Sequence, residues 1–233
     1  AVGMDGLLLG HPNSFYPTST DELSDYLAYV CDRTDLAVCL FAAGHWNYNR
    51  LHPSGYPPQV LARGADLENV VAVKYEVARP GIAGDYEFWK MIRNKRVLFS
   101  DPFEAHSPLT VEMFGQQWMG TSNYEYFGDR VPKYFKLLRD GKFDEAMEVY
   151  WGLQPVRATR VAIQASFAGA NFIHRYLWKY QAWLHGYNGG PMRQPVMKLN
   201  DGQMKLVRDG LIRGGFEVAD ETPADFFRGR NPA

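Results

Sequence analysis

A continuous apolar run, Val70-Val71-Ala72-Val73, leads into Lys74-Tyr75-Glu76. Four small or β-branched residues without polar alternation predict a strand covered on both faces, as in a parallel sheet layered by helices. Parallel neighbours need long crossover connections, so this feature points to an α/β architecture. Across the whole stretch, Asn69 to Glu76, the lysine falls at the strand's carboxyl end. In open α/β sheets and α/β barrels alike, that is where reactive groups collect. Burial disfavours an ammonium ion and frees an amine that can attack a carbonyl carbon to form a Schiff base. An ion pair with Glu76 is the structural alternative for the same lysine.

The flanking sequence repeats the strand–helix unit. Asp5 to Gly10 predicts a buried strand, and the prolines of His11 to Pro17 predict a loop. Ser19 and Glu22 have capping-box spacing ahead of Leu23, Tyr26, Leu27 and Val30, which recur at helical intervals and predict a helix over 20–32. Then follow a strand from Leu36 to Ala42, a loop over 44–58 holding His45, Trp46, Asn47, Arg50 and His52, and a helix over 58–64. Beyond the Lys74 strand come a helix over 82–92, a strand from Arg96 to Ser100, helical residues 102–114 broken near Pro108, and a fifth strand from Trp118 to Ser122. Five alternations with short connections predict a parallel sheet, doubly wound or closed into a barrel.

After Ser122 the pattern is helical. Helices are expected over 129–140, stopping at Gly141; from Phe143 to about residue 168, kinked at Pro155; over 170–185, stopping at Gly186; and over 203–213. Phe172, Tyr176, Leu177, Tyr180 and Leu184 form a packing stripe, and Gly189-Gly190-Pro191 a turn. Phe227 to Ala233 reads as a frayed tail.

The 233 residues suffice for one sizeable domain with a smaller appendage. A formal net charge of -1 without basic runs excludes an electrostatic nucleic-acid or membrane-surface binder. No apolar segment reaches the roughly 18 residues of a membrane span. Cys31 and Cys39 lack metal-ligand spacing and read as free, buried thiols in a reducing, cytoplasmic setting. Neither GxGxxG nor GxxxxGK[ST] occurs, so nucleotide binding has no supporting motif.

The motif order resembles the dihydrodipicolinate synthase / N-acetylneuraminate lyase family of class I Schiff-base aldolases and lyases, with this chain a divergent member. Met4 to Pro12 resembles the family's fourth barrel strand, Asp35 to Ala42 its fifth, Asn69 to Tyr75 the sixth with the Schiff-base lysine, and Arg96 to Ser100 the seventh. Gly141 to Ala146, the helix that follows, and Gly189 to Pro195 resemble the C-terminal extension. The resemblance implies an α/β fold, a (β/α)8 TIM barrel with strands 4–8 present and a C-terminal three-helix extension. Residues 1–123 would be the C-terminal part of the barrel, and 124–233 its helical end and the extension. In the family three strands and a Gly-Thr-Thr-Gly-type loop precede residues like these. The chain is therefore expected to be part of a longer one or to be completed by another polypeptide, since a partial barrel exposes open edges.

What the resemblance implies chemically is a lyase acting on a 2-oxo acid of the pyruvate type, with Lys74 catalytic and no metal or organic cofactor. Phe41, His11, Pro12, His45, Ser100, Asp101, Thr121 and Ser122 would bind substrate. Assembly as a homo-oligomer, dimer or tetramer, is implied, with no nucleic-acid or membrane partner. Phe41 stands where the family usually has a tyrosine; without a hydroxyl it cannot relay protons. His11, His45, Tyr75, Glu76 and His106 are the replacement candidates. Asp101 stands where glycine is common, and Asn13 and Ser14 fall near a family tyrosine pair, which together lean away from a true dihydrodipicolinate synthase. A hydratase-aldolase or sugar-acid dehydratase, suited by Phe15, Tyr16, Phe41 and Trp46, is the alternative within the class. A non-catalytic homologue that binds a small acid is the alternative outside it.

Overall fold

A computed structural model describes residues 3–77, 80–121, 127–165, 175–193 and 196–230. The chain divides into two compact units, Ala1–Thr121 and Ser122–Ala233.

In the first unit four parallel strands lie side by side in chain order: β1 (Gly6–Leu9), β2 (Ala37–Ala43), β3 (Val70–Glu76) and β4 (Leu98–Ser100). Between them run α1 (Thr20–Cys31), α2 (Pro58–Gly64) and α3 (Ile82–Ile92), with α4 (Ser107–Phe114) after β4. Each helix begins or ends where local chemistry dictates. The Ser19 side chain accepts from the Glu22 N–H at 3.3 Å and caps α1. The reciprocal half of the expected box is redirected: Glu22 accepts from the Thr18 N–H and hydroxyl instead. At the other end of α1, the Asn69 amide donates to the carbonyls of Cys31 and Thr34 at 3.0 and 2.9 Å, tying the helix end to the start of β3. The break before α4 falls at a 3-10 turn, Glu104–His106, which leaves Pro108 in the first helical turn where its missing N–H costs nothing.

Side-chain parity decides which face is buried. Leu9, Val38, Leu40, Ala42, Val73, Tyr75 and Phe99 point towards the helices and pack against Leu23, Leu27, Val60, Leu61, Phe88 and Ile92. The opposite face carries Leu8, Cys39, Ala72 and Leu98 in one hydrogen-bonded row. Leu8 is 54% and Leu98 47% exposed. Strands expected to be buried on both faces are thus only partly covered on this one, where Ala72 and Ser100 are buried but Leu8 and Leu98 are not. The register of β2 on β3 also slips between Val38 and Cys39. Val70 and Val73 both reach the helix-side core across that slip, and Val71 between them is exposed, as an extra residue at a bulge should be.

The fifth strand expected at Trp118 to Ser122 is absent among the described residues. Residues 118–121 run without a ladder partner, and Ser122 lies outside the described residues. Gly120 instead donates its N–H to the Ser100 hydroxyl at 3.0 Å.

The second unit contains α5 (Arg130–Arg139), α6 (Phe143–Gly152), α7 (Gln154–Ala165), α8 (Arg175–Leu184), α9 (Asp201–Arg213) and α10 (Pro223–Arg228). The long helix expected from Phe143 is two: α6 closes at Gly152, and Pro155 falls in the first turn of α7. Phe172 lies outside the described residues, but Tyr176, Leu177, Tyr180 and Leu184 of its stripe are all buried. Gly210 allows α9 to approach α7 closely: a Cβ there would meet the Thr159 hydroxyl at 2.3 Å. A full capping box, Asn200 with Gln203, starts α9.

The frayed tail expected over 227–233 is corrected for residues 227–230, while 231–233 lie outside the described residues. Thr222 and Asp225 form a capping box for α10, which presents Phe226 to Tyr180 and Trp183 at ring separations of 5.1 and 5.6 Å. Arg230 then donates to the Trp183 carbonyl at 2.9 Å and pairs with Glu221. The sequence pattern offered too few apolar residues to signal this; one aromatic in a ring cage supplies the anchor. Replacing a buried Phe by Ala typically costs about 3–5 kcal/mol. Phe226→Ala is expected to lower the unfolding free energy measured by urea titration by an amount in that range, and an unchanged value would show that this ring does not anchor α10.

Candidate active site

Because β2, β3 and β4 are parallel and in register, three side chains stand in one row on the open face. Phe41 pairs with Lys74, and Lys74 pairs with Ser100. The row sits at the carboxyl end of the sheet, two residues below the end of β3. The Lys74 side chain is 17% exposed, with its Nζ 4.7 Å from the centroid of the Phe41 ring and 3.4 Å from the Glu76 Oε2. Glu76 lies two residues on, hence on the same face of the strand. Gly120 fits against the stem of the lysine: a Cβ there would lie 3.3 Å from Lys74 Cδ and 2.6 Å from the Trp118 ring. Gly10 does the same for the indole of Trp46, which meets Phe41 edge-on at 5.3 Å. Lys74 is therefore held between an aromatic ring, a buried serine hydroxyl and a carboxylate. Cys39, one row below, is no competing nucleophile, because burial pushes its thiol up to about 11.

The other expected site residues scatter. His11 is buried on the helix side of the sheet and is structural: its Nε2 donates to the Leu23 carbonyl at 3.0 Å, and its Nδ1 accepts from the Tyr56 hydroxyl at 3.3 Å. Burial lowers its pKa, against the raising effect of the bond to Leu23. Pro12 and His45 are exposed, the latter tilted against Trp46 at 5.0 Å. Thr121 is half-buried just past Gly120. Tyr75, with the opposite parity to Lys74, stacks on Phe88 at 4.3 Å behind the sheet. There it lines a cavity of ≈ 330 Å³ with His52, Ser54, Gly84 and Glu87. That cavity and Lys74 are on different faces of the sheet.

Asp101 and His106 belong to a second group that the sequence did not signal. Asp101 follows Ser100 with opposite parity and turns to the helix side, where it meets Asp85 of α3. The His106 Nδ1 lies 2.7 Å from Asp101 Oδ2 and 3.8 Å from Asp85 Oδ2, and Asp101 Oδ1 accepts from the Phe103 N–H at 2.7 Å. Asp85 and Asp101 are 2% and 1% exposed. Burial, reinforced by the neighbouring Asp101, raises the Asp85 carboxyl to about 8, while His106 opposes the rise. The hydrogen bond to Asp101 raises the pKa of His106 against the effect of burial. The group is thus a proton-sharing brace between α3 and the end of β4. Its three ligand-type atoms lie within 4.8 Å of one another. Asp85 carried no sequence signal of its own; it lies in the first turn of α3.

No protein-family profile and no curated protein matches the sequence. Solved structures do. A monomeric dihydrodipicolinate synthase variant aligns at 19% identity with a TM-score of 0.72, over 91% of this chain and 66% of that one. The dihydrodipicolinate synthase of Oceanobacillus iheyensis aligns at 16% identity with a TM-score of 0.71, over 90% and 64%. The 2-keto-3-deoxygluconate aldolase of Sulfolobus solfataricus aligns at 17% identity with a TM-score of 0.58, over 85% and 61%. The chain therefore has the α/β fold of these enzymes and spans about two thirds of their length.

The brace makes stability depend on pH with a definite sign. Asp85 and His106 both titrate higher in the folded chain than their ordinary values. Their contributions are complete at low pH and lost as pH rises, for Asp85 through about 8. Between pH 5 and pH 9 the urea midpoint of the wild type is expected to fall relative to that of Asp85→Asn. Parallel curves for the two proteins would show that Asp85 does not titrate in this window.

Proposed function

We propose that the chain is a divergent member of the dihydrodipicolinate synthase / N-acetylneuraminate lyase family and that Lys74 forms a Schiff base with a 2-oxo acid. The observation that carries this is the placing of Lys74: a mostly buried amine at the carboxyl end of a central parallel strand, on the sheet face that the helices do not cover, between Phe41 and Ser100. The likeness of fold to synthases and aldolases supports it. In this reading β1 to β4 are four consecutive staves of an α/β barrel, corresponding to its strands four to seven, and the helices after α4 are its helical end and extension.

A covalent iminium between Nζ and the ketone carbon supplies the electron sink for breaking or making the neighbouring carbon–carbon bond, or for losing water. No further electrophile enters the scheme. Phe41 and Trp46 dry one side of the lysine, which strengthens every electrostatic contact it makes. Ser100 presents a hydroxyl on the other side. The aromatic wall also suits a substrate with an aryl group, which would make the protein a hydratase-aldolase.

The Lys74–Glu76 pair favours one reading of another class, a binding protein in which the lysine merely holds a small acid as a counter-ion. Trapping separates the two. Incubation with pyruvate, or a panel of larger 2-oxo acids, followed by borohydride is expected to add the mass of the reduced acid once per chain, and Lys74→Ala is expected to abolish the addition. Folded protein that gains no mass with any member of the panel would leave the binding protein as the better account.

A further inference from the structure

We propose that Glu76 is a catalytic residue, the group that carries protons between Lys74 and the substrate oxygen while the Schiff base forms. The inference rests on the Schiff-base reading of Lys74. It answers a question that reading leaves open, since Phe41 beside the lysine has no exchangeable proton.

The geometry favours Glu76 over Tyr75, His11 and His106, while His45 is exposed and tilted against Trp46 at 5.0 Å. Tyr75 has the wrong parity and faces Phe88 behind the sheet. Both ring nitrogens of His11 are engaged with Leu23 and Tyr56. His106 is turned to Asp101 and Asp85. The Ser100 hydroxyl oxygen accepts from Gly120. Among the described residues, Glu76 alone has a carboxylate oxygen within ion-pair distance of Nζ, at 3.4 Å. Its side chain is 33% exposed against 17% for Lys74, so it has the readier access to water of the two. A carboxylate in that position can take a proton from the amine and exchange it with solvent or substrate.

The step balances as follows. Glu76 removes one proton from the Nζ ammonium, and the freed lone pair forms the N–C bond at the ketone carbon while the carbonyl π pair moves onto oxygen. Glu76 returns that proton to the oxygen. It then takes a second proton from nitrogen and delivers it to the hydroxyl as the C–O bond breaks. The products are an iminium with one N–H and one molecule of water, and Glu76 ends ionised, as it began.

The test follows the rate at which pyruvate adduct accumulates, with samples quenched by borohydride at timed intervals and weighed intact. Wild type, Glu76→Gln, Glu76→Asp and Glu76→Ala are compared, with melting temperatures measured on each. Positioned acid–base groups contribute about 10²–10⁴-fold. Glu76→Gln is expected to slow adduct formation at least 100-fold with its melting temperature kept, and Glu76→Asp is expected to retain part of the rate. Added formate is expected to accelerate Glu76→Ala and leave wild type unchanged, which loss of a merely structural contact would not produce. Glu76→Gln forming adduct within twofold of the wild-type rate, or Glu76→Ala indifferent to formate, would overturn the assignment while leaving Lys74 as the Schiff-base former. Wild type that forms no adduct would overturn the Schiff-base reading, and this assignment with it.

Discussion

Everything about the candidate site depends on one constraint, the burial of one face of the parallel sheet. Once Leu9, Leu40, Val73 and Phe99 are committed to the helix-side core, alternation leaves no freedom for their neighbours. Phe41, Lys74 and Ser100 must share the opposite face, and the ladder brings them into one row. A slip of one residue in β3 would turn the lysine into the helix layer and Tyr75 out of it. The bulge at Val71 matters for the same reason: it absorbs an extra residue below the site, so that the register above it puts Lys74 opposite Phe41. Positioning here is a by-product of core packing, which is why Lys74 can be held in place without a dedicated scaffold of hydrogen bonds.

Much of this could be read in the sequence, and the rest could not for identifiable reasons. The strand and helix order up to residue 114 followed from period and turn chemistry, because apolar runs bounded by Gly, Pro and capping residues are local signals. The faces were harder. An unbroken apolar run predicts burial on both sides, yet Leu8 and Leu98 are about half exposed, because cover for a face is supplied by other segments and leaves no mark on the strand itself. The expected strand at 118–122 had apolar residues but has no ladder partner over 118–121. The α10 helix was missed because one residue, Phe226, provides its anchor; periodicity needs several.

The site residues divide in the same way. Lys74 and Phe41 were visible as a position in a strand and a departure from a familiar pattern. Glu76 was visible both as a possible partner of the lysine and as one of five candidate proton relays, and its preference over His11, Tyr75 and His106 required knowing which face each side chain takes. Asp85 gave no signal, since its meaning comes from Asp101 and His106, which lie 16 and more residues away in the chain. The buried Asp85–Asp101 pair tolerates its own repulsion by holding a proton and by accepting the imidazole of His106. It lies behind the sheet at the end of β4, where Asp101 directly follows Ser100.

The most direct test of the account is a crystal structure of the protein after reduction in the presence of pyruvate. The account predicts continuous density from Lys74 Nζ to the former ketone carbon, lying on the open face between Phe41 and Ser100, with the Glu76 carboxylate within hydrogen-bond distance of the new bond. An adduct on a surface lysine, or a Lys74 still paired with Glu76 and unmodified while the protein gains mass elsewhere, would contradict it.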